Sequence, residues 1–235
     1  MEKNYAVSDL HLFHSNIIKY CNREDYIPIT KESTLQMNWD IVNSINEQTP
    51  DEEGVVLWNL GDLFYGKLAS EQTLSQLQAL VDVMKGEHRT LKLVLGNHDR
   101  QFKKFAQWKK LYPLNDKTPL PKIYEYLGFD EVYTTPIIVG DHTIISHEPF
   151  CLSKTQDFIN IHGHTHDELV DEKYFVYNVE NLKMVRRAYS MEKHSKEFPP
   201  VIEAYPDRIV DPNCYLNICW DNTKGKVVDI SKYLN

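Results

Sequence analysis

Three short apolar runs separated by two stretches of helical periodicity constrain this chain most. Tyr5-Ala6-Val7, Val55 to Trp58 and Leu91 to Leu95 are strand-sized. Between the first two, Leu35, Trp39, Val42 and Ile45 recur at three- and four-residue spacing. Between the second and third, Leu74, Leu77, Val81 and Met84 do the same, with Ser70 placed to cap that helix and Gly86 to stop it. Asn16 to Tyr20 has room for one more helical turn. The order β-α-β-α-β predicts parallel strands with covering helices. Each run stops on a polar stretch: Ser8-Asp9, Gly61-Asp62 and Gly96-Asn97. Open α/β sheets gather their ligands at such strand C-termini.

The second half changes character. Val132 to Val139, Thr143 to Ser146, Phe158 to Ile161, Tyr174 to Val179, Ile218 to Trp220 and Lys226 to Ile230 read as strands, with Gly140-Asp141 as a hairpin turn. At 235 residues we expect a single domain over 1–235. The poorly periodic stretch of about 167–213, with Pro199-Pro200, Pro206 and Pro212, reads as a long insertion beside the site. A formal net charge of -8 repels a nucleic-acid backbone and argues against tight non-specific duplex binding. Cys21, Cys151, Cys214 and Cys219 form no C-x-x-C pair, so reduced thiols and a cytoplasmic location are expected. Met1 to Asn4 leads straight into the first apolar run, so no signal peptide is expected. No apolar run approaches the ~20 residues of a membrane span, so no membrane partner is expected.

Side chains able to hold metals collect at the ends of these runs. Asp9-x-His11 offers two ligands on a strand-exit loop; alone, such a motif is usually a capped turn. Asp62 is ambiguous alone but suited to bridge two cations ~3.5–4 Å apart. In Gly96-Asn97-His98-Asp99, Asn97 supplies a neutral oxygen and the glycine a sharp turn. His98 then falls beside the site as a proton donor, with Asp99 placed to fix its tautomer. His147 follows an apolar run, and His162-x-His164 would point both rings the same way if extended. His166 continues that alternation, with solvent as its plain alternative. His14, Tyr65 and Arg100 are candidate substrate contacts. Taken together, Asp9, His11, Asp62, Asn97, His147, His162 and His164 suffice to cage two divalent cations, and this mixed O/N donor set accepts Mn, Fe, Zn or Ni. Two adjacent cations serve phosphoester hydrolysis.

In this order the motifs, from residue 8 to residue 164, resemble the calcineurin-like metallophosphoesterase superfamily. Ser8-Asp9-Leu10-His11 to His14, Asn16 to Cys21, Asn38-Trp39, and the tail from Leu216 to Ile230 are similar to a small bacterial and phage branch of it. The resemblance implies an α/β fold, a four-layer α-β-β-α sandwich of two mixed sheets with flanking helices. It implies one metal on Asp9, His11, Asp62 and His164, and a second on Asp62, Asn97, His147 and His162. It further implies attack by a metal-bridging hydroxide, with His98 as general acid. A phosphodiester or nucleotide is the leading substrate, and a phosphomonoester, including phosphoprotein, the first alternative. Arg100, Lys103, Lys104, Lys109 and Lys110, interleaved with Phe102, Phe105, Trp108 and Tyr112, leave a nuclease open, as do Lys183, Arg186 and Arg187. A helix face with a buried side explains the first set more simply. A non-catalytic binding protein is the remaining class, and every expected position being filled speaks against it.

Overall fold

Strands β1 (Lys3–Val7), β2 (Val55–Asn59) and β3 (Thr90–Val94) pair in parallel in a computed structural model of the chain. It describes residues 2–65, 71–100, 115, 117–150, 152, 157–167, 170 and 212–234. Helices α2 (Lys31–Gln48) and α3 (Glu71–Lys85) make the two crossovers, and α1 is the short turn Ile17–Tyr20. Thr30 caps α2 by accepting from the Ser33 backbone N–H, while Ser33 returns the bond to the Thr30 backbone. That exchange satisfies amides the helix itself leaves unpaired. Gly86, at φ 64, follows the last residue of α3. The cap expected at Ser70 and the strand expected at Tyr174 to Val179 lie outside the described residues.

Two mixed sheets result. The first has the order β4-β3-β2-β1-β9, with β4 (Glu131–Tyr133) parallel to β3 and β9 (Val228–Asp229) antiparallel to β1. The second has the order β5-β6-β7-β8, built from Ile137–Val139, Thr143–Ile145, Ile159–His162 and Tyr215–Asn217. Here β5 and β6 form the antiparallel hairpin, with Gly140 at φ 61, and β6, β7 and β8 run parallel. The apolar run Val132 to Val139 serves both sheets. It breaks at Thr134-Thr135-Pro136, where proline removes a ladder donor and restrains the residue before it. The chain crosses from one sheet to the other there.

Side-chain alternation divides the interior in two. From β2, Leu57 packs into the core shared with α2, α3 and α4 (Leu120–Tyr126), while Val56 and Trp58 pack against Ile145, Ile161 and Ile218 of the second sheet's side. Every residue of β2 is buried, as expected of a strand covered on both faces. Helices α1 to α4 all contribute to the first core. Two mixed sheets with flanking helices make the α/β sandwich that the resemblance implied, and the α-helices among the described residues pack on the first sheet's side. No helix is long and apolar enough to cross a membrane among the described residues.

Leu57 is fully buried at the centre of the first core. Leu57→Ala is expected to lower stability by about 2–5 kcal/mol, read from the denaturant midpoint at unchanged slope.

Candidate metal centre

The loops leaving β1 and β2 run side by side and set the floor of the site. Asp9 N–H donates to Gly61 O, His11 N–H to Asp62 O and Leu12 N–H to Leu63 O, at 2.9–3.0 Å. Leu10 and Leu12 are fully buried in the helix-side core, while the intervening Asp9 and His11 adopt left-handed backbone with φ 57 and 50. Asp62 does so too, at φ 51. Left-handed conformations cost non-glycine residues ~1–2 kcal/mol each, so three in one small site require firm support. The side-chain Oδ1 of Asn38 on α2 provides some, accepting from Phe13 N–H at 3.0 Å.

The loop after β3 closes against them. Asp99 accepts from the backbone N–H groups of Asp62, Gly96 and Leu63 at 2.8, 2.9 and 3.1 Å. Its oxygens are thus committed to backbone, and they fix the loops, while His98 Nδ1 is buried without a hydrogen-bond partner. His98 instead donates its backbone N–H to Asp62 Oδ1 at 2.9 Å and holds ring Nε2 3.7 Å from Asp62 Oδ2. Gly96 lies so close that a Cβ there would sit 2.2 Å from Asp62 Oδ1. Gly163, on the loop from β7, has the same relation to Asp9: its Cβ would sit 2.4 Å from Oδ2.

Histidines from the second sheet complete the site. His147 donates ring Nδ1 to Leu60 O at 2.8 Å, which turns Nε2 inward to 3.0 Å from Asn97 Oδ1 and 3.5 Å from Asp62 Oδ2. His164 Nδ1 lies 3.2 Å from the same Nε2. Among the described residues, three sets in the site each bring their donor atoms within 4.8 Å of one another: Asp9, His11 and His166; His11, Asp62 and His98; Asp62, His147 and His164; a fourth, Cys21, His166 and Asp221, adjoins the first.

Electrostatics test whether cations fit. Burial drives His11 down to about 3 and also lowers His147, leaving neutral imidazoles suited to coordinate. Burial, Asp99 and Asp9 push the Asp62 carboxyl up to about 9. A carboxyl so placed resists ionisation unless positive charge stands beside it. Asp9 Oδ1 and both His11 ring nitrogens are buried without a hydrogen-bond partner. At His166, burial opposes the charge, but Asp221 and Cys21 outweigh it and hold the imidazole up at about 10. Orphaned acceptors, neutral imidazoles and a repelled carboxylate fit divalent cations.

The structure places the sequence-expected residues as follows. Asp9, His11, Asp62, Asn97, His147 and His164 converge. His162 ends β7, fully buried, with Nδ1 on Gly163 O and its ring 6.0 Å from Tyr215; it joins none of the three sets. His166 stands beside Asp9 and His11 instead. The two-residue alternation assumed for 162–164 fails because the segment is not extended: His164 and His166 have φ 70 and 49. His14 and Tyr65 line a cavity of about 540 Å³ with Tyr20, His98, His164 and His166. Arg100 donates to Thr134 O at 2.8 Å and does not line that cavity. Lys103, Lys104, Lys109, Lys110, Lys183, Arg186 and Arg187, with the interleaved aromatics, lie outside the described residues. Sequence reasoning passed over Arg23 and Asp221, which support His166 and the Asp9 loop; no local pattern marks either.

Comparisons with known proteins point to one family. The sequence model for calcineurin-like phosphoesterases matches residues 5–207. The uncharacterized protein MJ1445 of Methanocaldococcus jannaschii is similar at 28% identity over 178 residues, covering 75% of this chain and 76% of its own. The Gene 66 proteins of Mycobacterium phages D29 and L5 are similar at 27% identity, covering 72% of this chain and 81% and 80% of their own.

Gly96→Ala must displace Asp62 or the loop that carries it. We expect bound metal, measured by elemental analysis after dialysis against Mn2+, to fall well below the wild-type content while far-ultraviolet dichroism is kept.

Proposed function

Because the chain belongs to the calcineurin-like phosphoesterase family, we propose that it is a dinuclear-metal phosphoesterase whose substrate is a phosphodiester or nucleotide. The observation that carries this reading is the buried Asp62 carboxylate standing between two donor sets, one with His11 and His98 and one with His147 and His164. In this reading Asp9, His11, Asp62 and His166 hold one cation, and Asp62, Asn97, His147 and His164 the other. Divalent cations in such a pair supply Lewis-acid activation of water and neutralise phosphoryl charge.

The chain's own groups do the rest. His98, about a quarter exposed and facing the cavity, is the proton donor to the leaving oxygen. Its backbone anchor on Asp62 Oδ1 keeps it next to the reacting phosphorus without making it a ligand. Asp99 is a positioning residue: it holds the turns that present Asp62 and His98. His14, Tyr20 and Tyr65 line the cavity as an aromatic wall, with ring centroids 4.1 Å apart for His14–Tyr65 and 6.1 Å for His14–Tyr20. Burial holds His14 down at about 4, so that wall is uncharged at neutral pH. No Lys or Arg lines the cavity among the described residues. An uncharged aromatic wall favours a singly charged diester with a flat organic group over a dianionic monoester. A cytoplasmic setting and a small-molecule substrate belong to the same proposal.

Protein loaded with Mn2+ is expected to hydrolyse bis-p-nitrophenyl phosphate with kcat/KM above that for p-nitrophenyl phosphate. Equal or reversed values move the assignment to monoesters, and no turnover with Mn, Fe, Zn or Ni refutes it. His98→Ala is expected to cut kcat for an alkyl ester by about 10²–10⁴ and to affect a p-nitrophenyl ester far less, since that leaving group needs no proton. Equal losses on both would remove His98 from the proton-donor role. Tyr20→Ala is expected to lower the ratio of kcat/KM for thymidine p-nitrophenyl phosphate over methyl p-nitrophenyl phosphate; an unchanged ratio takes Tyr20 out of the wall.

A further inference from the structure

We propose that Arg23 and Asp221 form a brace that positions the Asp9–His11–His166 set, so that chain beyond the family-matched residues completes one of the two cation sites. The inference rests on the metal reading given under the proposed function. It concerns two residues absent from the ligand set, one of which lies past residue 207, where the match to the family ends.

Arg23 has a nearly buried side chain, 7% exposed, and uses its guanidinium in two directions. Toward the site, Nη1 donates to Leu10 O at 3.1 Å and Nη2 to Asp9 O at 3.3 Å. Those carbonyls belong to the turn in which Asp9 and His11 are held left-handed. Away from it, Nε donates to Asp221 Oδ1 at 2.8 Å and Nη2 to Asp221 Oδ2 at 3.0 Å. A fork that satisfies both carboxylate oxygens fixes orientation as well as distance, which a lysine would not do.

Asp221 then reaches the third member of the set. Its Oδ2 accepts from His166 Nδ1 at 3.0 Å. An imidazole that donates one nitrogen to a carboxylate has its tautomer and ring plane fixed and presents the other nitrogen to an ion. The ring so fixed stacks on His11, with centroids 5.2 Å apart and planes 17° from parallel. Cys21 Sγ, 3.3 Å from the same Nδ1, packs on the shared edge. The segment that carries Asp221 is itself tied to the site: Trp220 N–H donates to Ser8 O at 2.9 Å, and Cys219 Sγ–H to Asp9 Oδ2 at 3.1 Å. In the Asp62–His147–His164 set the His147 ring is held from elsewhere, by Leu60 O, and the link to the braced loop is His164 N–H on Asp9 Oδ2. The brace therefore predicts damage centred on one site.

An Arg–Asp pair that merely fastens the C-terminal segment would instead weaken both sites and the fold together. The full-length protein is titrated with Mn2+ alone by calorimetry, with electron paramagnetic resonance on the same samples. Wild type is expected to bind two equivalents and give an exchange-coupled spectrum. Asp221→Asn is expected to keep one equivalent near wild-type affinity and to weaken the other by about 10–100-fold, so that a mononuclear six-line spectrum replaces the coupled one. Arg23→Lys, which keeps the charge and loses the fork, is expected to do the same with the metal-free unfolding midpoint nearly unchanged. Two unchanged affinities, or parallel loss at both sites with a lowered metal-free midpoint in both variants, would overturn the brace. A wild-type protein that binds no Mn2+ overturns the metal reading and the brace with it, a result distinct from either.

Discussion

Burying carboxylates beside one another is the constraint on which this structure turns. Asp9, Asp62 and Asp99 are all nearly or fully inaccessible to water; Asp99 and Asp9 raise the cost of ionising Asp62, and Asp9 that of Asp99. The protein answers each differently. Asp99 is surrounded by backbone N–H donors, Asp9 takes bonds from Cys219 and the His164 backbone, and Asp62 is left facing histidines. The first arrangement spends a charge on holding turns together. The last keeps a charge unsatisfied at the centre, where only a cation or a proton relieves it.

Much of this was legible in sequence because the ligands sit where strands end. The parallel β1-β2-β3 core followed from the apolar runs and the helical periodicity between them, and the three strand-exit stretches marked Asp9, Asp62 and Asn97 from the same residues. Where sequence reasoning fell short, a local rule met a non-local condition. His162-x-His164 satisfies the two-residue period of a strand, but the strand ends at His162 and the next residues turn left-handed, which brings His166 to Asp9. Asp99 neighbours His98 in sequence, yet its oxygens serve amides from two loops. The run Val132 to Val139 reads as one strand until Pro136 is weighed against the need to leave the sheet.

Arg23 and Asp221 were invisible for another reason. Their roles come from a contact spanning 198 positions, and no spacing within either neighbourhood encodes it. A charged pair nearly withdrawn from solvent rarely stabilises a fold by itself, since desolvation offsets most of the attraction. Its presence beside three left-handed ligand residues is better understood as fixing geometry than as adding stability.

The short passage from Tyr133 to Ile137 joins the two sheets at a place where a single apolar run feeds both. Asp9, Asp62 and Asn97 come from one sheet, and His147, His164 and His166 from the other, so a cation held between them is also a rivet between layers. Any ion bound across that seam favours the closed sandwich by its whole binding free energy, and any motion that parts the layers must first release it. Metal content and the docking of the sheets then become one equilibrium seen from two sides. For a chain of this kind, the loaded fraction measures how tightly the two halves are shut.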